Sequence, residues 1–248
     1  MTKLVLYHYP MSLCSQKVRL CLAELGLSYV PRPVDIGFGV ENFEPWYIRL
    51  NPAGVVPTLC DGERIVTNSA QILRYLAMRT GEGLPSDARQ RAAAEHWLTV
   101  ADAIPLHAIS YSRGAIPRGD ELLEKRLERI VELRKSNRDL EEIYDALYER
   151  VSGLRNTAIL YKEPGKAVEE LNAKLDDLDE ALSQSVFVAG TSYSIADMIW
   201  TVTLARIDML GLHEQLASHE RVASYYDRVT ERPSFAAASI KRSWTGGI

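Results

Sequence analysis

One short stretch, Thr80-Gly81-Glu82-Gly83-Leu84-Pro85-Ser86-Asp87, divides this chain into two parts with different hydrophobic periods. Before it, short β-rich apolar runs alternate with helical patterns. After it, helical periodicity continues almost throughout and no convincing strand pair follows. Gly, Pro and polar residues clustered between periodic segments mark a connection rather than an element. The expected architecture is a small α/β domain over residues 1–80, then an all-helical domain over 88–248.

Local signals fill in the first part. Leu4-Val5-Leu6-Tyr7 reads as a strand, Pro10 to Ser15 as a turn, and Val18, Leu20, Cys21, Leu22 and Leu25 as the apolar side of a helix capped by Gly26. The prolines of Tyr29-Val30-Pro31-Arg32-Pro33-Val34 suit an edge strand. Residues 37–49 form a loop with a short helix near Glu44 to Ile48. Pro57 suits a strand start and is compatible with a cis bond. Asp61-Gly62 predicts a hairpin with Arg64-Ile65-Val66, and Asn68 or Ser69 caps the helix that follows.

In the second part, the densely charged stretch from Arg118 to Val151 surrounds a stripe that includes Leu123, Leu127, Ile130, Leu133, Leu140 and Leu147. This predicts a solvated helical face over an apolar stripe, with an interaction arm as the alternative. Ser194-Ile195-Ala196-Asp197 is a capping box opening the apolar run Met198-Ile199-Trp200, with Tyr193 placed to staple onto Met198.

Composition excludes several classes of function. With 29 basic and 33 acidic side chains the net charge is −4, a poor match for nucleic-acid phosphates. No apolar run reaches the roughly 18 residues a membrane helix requires, and the N-terminus carries no secretory pattern. The three cysteines, Cys14, Cys21 and Cys60, form no Cys-x-x-Cys pair. The histidines lack metal-ligand spacing, so no metal is expected. Free thiols point to a reducing compartment, the cytoplasm.

Cys14 is the sharpest chemical candidate. It lies where the first strand turns into the first helix, where unpaired N–H groups and the positive end of the helix dipole favour a thiolate. Lys17 and Arg19 are expected to add positive potential, and the Ser12 and Ser15 hydroxyls can donate to a sulfur anion. The alternative is a buried, inert Cys14. Cys21 and Cys60 read as core. If the Val56-Pro57 bond is cis, the Val56 N–H and C=O face outward, where an extended peptide could pair with them like an added strand. Asn68 and Ser69 at a helix N-terminus can bind a carboxylate.

Taken in order, Ser12-Leu13-Cys14-Ser15, Val55-Val56-Pro57, Asn68-Ser69 and Ser194-Ile195-Ala196-Asp197 resemble the cytosolic glutathione transferases along the whole chain. Ser12 to Ser15 with Val18-Arg19 is also similar to the zeta class. Asp35-Ile36-Gly37-Phe38, Pro117-Arg118-Gly119-Asp120 and Gly246-Gly247-Ile248 are similar to the family's reductive dehalogenases. The resemblance implies a thioredoxin-like N-terminal domain, an all-α C-terminal domain, a dimer, and glutathione as cofactor. It implies that Ser12 or Ser15 steadies the glutathione thiolate, that Cys14 is the enzyme's own nucleophile, and that Val56, Pro57 and Ser69 hold the tripeptide. Many transferases have Glu or Gln where this chain has the shorter Asn68. Arg49 and Asn51 are the candidates for the glycyl carboxylate.

The activity so implied is glutathione transfer to a small aromatic substrate, as in reductive dehalogenation of a chlorinated hydroquinone through a Cys14 mixed disulfide. The aromatic is expected near His107, Tyr111 or Trp200. Cleavage of a β-aryl ether and a maleylacetoacetate-type cis–trans isomerisation are alternatives, as is a non-catalytic glutathione-binding protein.

Overall fold

The computed structural model describes residues 3–112, 115–116, 118–160 and 164–241. Pro117 and the terminal Gly246-Gly247-Ile248 lie outside them, as does the side chain of Tyr111. The first part runs β1 (Leu4–His8), α1 (Leu13–Glu24), β2 (Tyr29–Pro33), a 3₁₀ turn (Glu41–Phe43), α2 (Pro45–Leu50), β3 (Thr58–Asp61), β4 (Arg64–Thr67) and α3 (Ser69–Thr80). The second begins with α4 (Ala88–Asp102), α5 (Leu106–Ser112), α6 (Gly119–Ser136), α7 (Glu141–Leu160) and α8 (Pro164–Gln184). It ends with α9 (Ile195–Met209), α10 (His213–Ala217), α11 (Glu220–Thr230) and α12 (Pro233–Ala237).

The sheet order is β2-β1-β3-β4. β1 pairs parallel with β2 and antiparallel with β3, which pairs antiparallel with β4. β2 takes the edge, where Pro31 and Pro33 leave no interior ladder bond unmade. Gly62, with φ of 62°, makes the β3–β4 hairpin turn. The register sets Tyr7 opposite Thr58, and Thr58 opposite Thr67. The β1–α1 turn, Val56-Pro57 and Asn68-Ser69 therefore meet at one end of the sheet.

One core cluster crosses between the two parts. It joins Leu4, Leu6, Val18, Leu22, Leu59 and Ile72 to Trp97, Leu98, Ile199, Trp200 and Leu204. Each fully buried Leu or Ile contributes roughly 2 kcal/mol. Trp200 belongs to this core, completely buried with its Nε1–H donating to Trp97 O at 3.0 Å, so it does not line an aromatic site. Asp197 closes the capping box with Ser194 and also accepts from Val188 N–H and Tyr225 Oη, both at 2.9 Å.

A second cluster explains the charged stretch. Helices α6 and α7 form a hairpin whose Leu123, Ile130, Tyr144 and Leu147 pack on Val40, Phe43 and Ile48 of the first part. The apolar stripe has a destination, and charge fastens its margins. Arg129 pairs with Glu44 at 2.6 Å and Arg49 with Asp139 at 2.6 Å. Arg126 donates to Ile36 O and Arg150 to Ala53 O, each at 2.7 Å. The Tyr144 hydroxyl donates to Phe43 O at 2.9 Å.

Cys21 is fully buried, and burial pushes its thiol far up. Cys60 corrects the core reading: it is only half-buried, because the side of β3 on which it lies is incompletely covered.

Candidate functional site around Cys14

The first turn of α1 holds the thiol. Ser12 is its N-cap, with extended backbone and its Oγ accepting from Ser15 N–H at 3.3 Å. Ser15 is completely buried, and its Oγ accepts from Tyr9 N–H at 3.3 Å, which fixes the chain leaving β1. Cys14 is half-buried between them, at the second position of the helix. The turn thus combines a buried Ser15 with a half-buried Ser12 and a half-buried Cys14.

Lys17 and Arg19, expected to add positive potential at Cys14, make contacts elsewhere. Lys17 is buried and paired with Asp102 of α4 at 2.6 Å, while the Arg19 Nε–H donates to Ala238 O at 3.2 Å. A cation from the helical part reaches this turn. Arg206 of α9 is buried and donates through one Nη to Met11 O and to Gln16 Oε1, both at 2.8 Å. Burial lowers its guanidinium to about 10, while the charge of Cys14 acts in the opposite direction. Sequence reasoning missed Arg206. The available signal was a charged residue inside an apolar run, which must find buried partners.

The cis Val56-Pro57 peptide stands beside this turn. Among the described residues, the Val56 amide and carbonyl make no hydrogen bond, whereas the Val55 carbonyl accepts from Tyr47 Oη and Asn51 Nδ2, each at 2.7 Å. Asn51, nearly inaccessible, also donates to Thr58 Oγ1 at 3.0 Å and accepts from Ala53 N–H at 3.2 Å. Its side chain braces this loop and is not offered to a carboxylate. Arg49 is occupied by Asp139. Both candidates for the glycyl carboxylate are therefore committed elsewhere.

Asn68, at φ of 67°, caps α3 by accepting from Gln71 N–H at 3.2 Å. Ser69 is the first helical residue, and among the described residues its hydroxyl has no hydrogen-bond partner. An unengaged backbone edge at Val56 and an unengaged hydroxyl at a helix N-terminus suit an extended peptide ending in a carboxylate. An open groove of about 720 Å³ continues from Asn68 between α3 and α4, past Gln71, Arg74, Leu98 and Asp102.

On the other side, Asp35 shapes the rim. Its carboxylate accepts from Gly37 N–H at 2.7 Å and Gly39 N–H at 3.0 Å. A Cβ on Gly39 would lie 2.4 Å from Asp35 Oδ2, so the turn requires glycine there. Burial, then the Asp35 charge, raises the Tyr9 phenol. His107 is solvent-exposed. Desolvation, then the Arg126 charge, lowers its pKa, which favours neutral imidazole. Among the described residues, no cluster of three or more His, Cys, Asp or Glu could hold a metal ion.

The sequence matches the family model "Glutathione S-transferase, N-terminal domain" over residues 6–83 and "Glutathione S-transferase, C-terminal domain" over residues 88–228. The chain belongs to the glutathione S-transferase family. It is a glutathione-dependent enzyme of the transferase type with glutathione as co-substrate. This transferase is 42% identical over 248 residues, covering 100% of both chains, to the tetrachloro-p-hydroquinone reductive dehalogenase of Sphingobium chlorophenolicum. It is 28% identical to the 2,5-dichlorohydroquinone reductive dechlorinase of Sphingobium indicum, with 97% of this chain and 83% of the relative covered. Among solved structures, the β-etherase LigF of Sphingobium sp. strain SYK-6 superposes with a TM-score of 0.73 at 23% identity, covering 97% and 100% of the two chains. That likeness is one of fold.

Proposed function

We propose that this transferase removes chlorine reductively from a chlorinated hydroquinone, with Cys14 as its own nucleophile. The observation that carries the reading is the half-buried Cys14 on the first turn of α1, between the Ser12 cap and the sealed Ser15. The full-length likeness to a reductive dehalogenase supports the substrate class.

In this reading residues 1–80 hold the tripeptide and residues 88–248 form the aromatic side of the cleft. Val56 pairs with the glutathione backbone, Pro57 shapes that edge, and Ser69 with Asn68 receives the γ-glutamyl carboxylate at the α3 N-terminus. Ser12, the more open of the two hydroxyls, donates to the glutathione sulfur. Ser15 holds the turn from beneath. His107 stands on the aromatic side.

Glutathione supplies a thiolate that displaces chloride from the ring and leaves an aryl thioether. Cys14 thiolate then attacks the thioether sulfur. The S–S bond of a mixed disulfide forms as the C–S bond breaks, and the ring carbon keeps the electron pair and takes a proton. A second glutathione thiolate attacks the mixed disulfide, releasing oxidised glutathione and regenerating Cys14. The sum consumes two glutathiones per chlorine replaced by hydrogen. The reading extends to a homodimer in the cytoplasm. The half-exposed Ile65 beside the open α3–α4 groove and the free cysteines support these two points.

The test is product analysis by mass spectrometry, with glutathione and a panel of chlorinated hydroquinones, β-aryl ethers and maleyl diacids. The expected result is dechlorinated hydroquinone plus oxidised glutathione from the wild type, and accumulated aryl glutathione thioether from Cys14→Ser. Undiminished release of dechlorinated product by Cys14→Ser overturns the role of Cys14. Turnover of only the ethers or diacids overturns the substrate class.

A further inference from the structure

We propose that Phe38 is a specificity-determining residue of the aromatic site: its ring walls the mouth of the cleft beside the thiol's turn and packs against the flat ring of the substrate. The inference rests on the substrate class proposed above and adds the side chain that meets the ring.

The turn that carries Phe38 is formed at a cost. Val40 adopts φ of 49°, a left-handed backbone that a β-branched residue rarely takes. Its side chain is buried with Leu123, Ile130 and Tyr144 of the α6–α7 hairpin, and that packing holds it in place. Asp35 closes the turn from within. Its carboxylate holds the Gly37 and Gly39 amides, its carbonyl accepts from Glu41 N–H at 2.8 Å, and its own N–H donates to Glu41 Oε2 at 2.7 Å. Backbone kept in a strained region by its surroundings is typical of sites that present a group in a fixed place. The group presented here is Phe38, which remains 37% exposed on an otherwise fixed turn.

Phe38 stands beside the nucleophile's turn. A Cβ on Gly37 would lie 3.6 Å from Tyr9 Oη. Tyr9 is bonded to that turn twice: its N–H donates to Ser15 Oγ at 3.3 Å and its carbonyl accepts from Ser12 N–H at 3.1 Å. On the other side the Phe38 ring meets the first turns of α6. Arg118 Cζ lies 4.9 Å and Lys125 Nζ 5.6 Å from the ring centroid, and Arg126 of the same helix donates to Ile36 O at 2.7 Å. Arg118 is itself paired with Glu121, so its part here is to hold the ring by a cation–π contact, not to attract an anion. The ring thus lies between the Cys14 turn and α6, where the two parts of the chain face each other. A fixed, partly exposed ring prefers a planar, polarisable partner in offset or edge contact and gives little to an acyclic diacid. Chlorinated hydroquinones are separated from maleyl diacids already at the binding step.

The experiment compares wild type with Phe38→Ala, Phe38→Leu and Phe38→Trp. The first readout needs no turnover: binding of a tetrachlorophenol in the presence of S-methylglutathione, by isothermal titration calorimetry. The second is the KM for chlorinated hydroquinone set against the KM for glutathione. Phe38→Ala is expected to weaken tetrachlorophenol binding roughly 10-fold, the scale of one lost aromatic pair with its buried area. It raises the hydroquinone KM alike, while the glutathione KM moves less than about 2-fold. Phe38→Leu, apolar without a π face, loses about 3-fold, and Phe38→Trp stays within about 2-fold of wild type. Thermal melting identifies the variants that fold; if Phe38→Ala does not, the order of Phe38→Leu below Phe38→Trp decides, and equal binding by these two overturns the inference. Unchanged binding in folded Phe38→Ala, a glutathione KM that rises as far as the hydroquinone KM, or no binding of the phenol by the wild type also overturns it. The two readings fail separately. Wild-type dechlorination beside unchanged phenol binding in Phe38→Ala removes only the role of Phe38. Weakened phenol binding in Phe38→Ala, in an enzyme whose wild type dechlorinates no hydroquinone, removes the proposed reaction and supports the aromatic wall.

Discussion

His8 ends β1 with its ring sealed in protein and, among the described residues, no hydrogen-bond partner on either nitrogen. Burial first, then the nearby Arg19 charge, lowers its pKa to about 4. In the unfolded chain the imidazole takes its proton near pH 6.5. Stability from the neutral ring is therefore complete above pH 6.5 and is lost as pH falls from there toward 4. The loss reaches about 3 kcal/mol. Urea denaturation at pH 7 and pH 4.5 should show this loss in the wild type, and His8→Leu should remove most of it; an equal acid loss in both proteins would refute the assignment. At this scale the sequence was readable wherever a residue acts through its chain neighbours. The Pro10–Ser15 turn carrying Cys14 and the cap at Asn68 or Ser69 announce themselves locally, and Pro57 is compatible with a cis bond, whereas the Ser12 cap was not read. Lys17 was misread because the helical period gives a face but not its partner, which here is Asp102. Arg206 and His8 draw their properties from packing that no local pattern records.

The α6–α7 hairpin is the element whose identity was visible and whose docking was not. Its apolar stripe predicted a buried face, but only tertiary structure shows that the face covers Val40, Phe43 and Ile48. Gly54, with φ of 57°, packs under the hairpin, where an added Cβ would lie 3.1 Å from Leu147 Cδ2 and 3.3 Å from Asn42 O. Gly54→Ala should thus cost about 2 kcal/mol from left-handed backbone and crowding together. Chemical denaturation measures it, and a change below about 0.5 kcal/mol would mean that the hairpin yields. The strands of the first part were legible because turn chemistry at Asp61-Gly62 and the edge prolines act over two or three residues.

For the whole molecule, the cluster shared by β1, α1 and α3 with α4 and α9 makes the two parts one energetic unit. Heating should give a single calorimetric transition, with far-ultraviolet dichroism and tryptophan fluorescence coinciding. Two separated transitions would show that the shared core does not couple them. The two-part layout was legible from the change of period at Thr80–Asp87. The shared core was not, because a helical period says which residues seek burial and not against what.

The hairpin grips the first part through Arg126 and Arg150 by main-chain oxygens, at Ile36 and Ala53. Every amino acid presents the same carbonyl. Substitutions of the side chains at those two positions therefore leave both acceptors in place, and the same two arginines keep their hold.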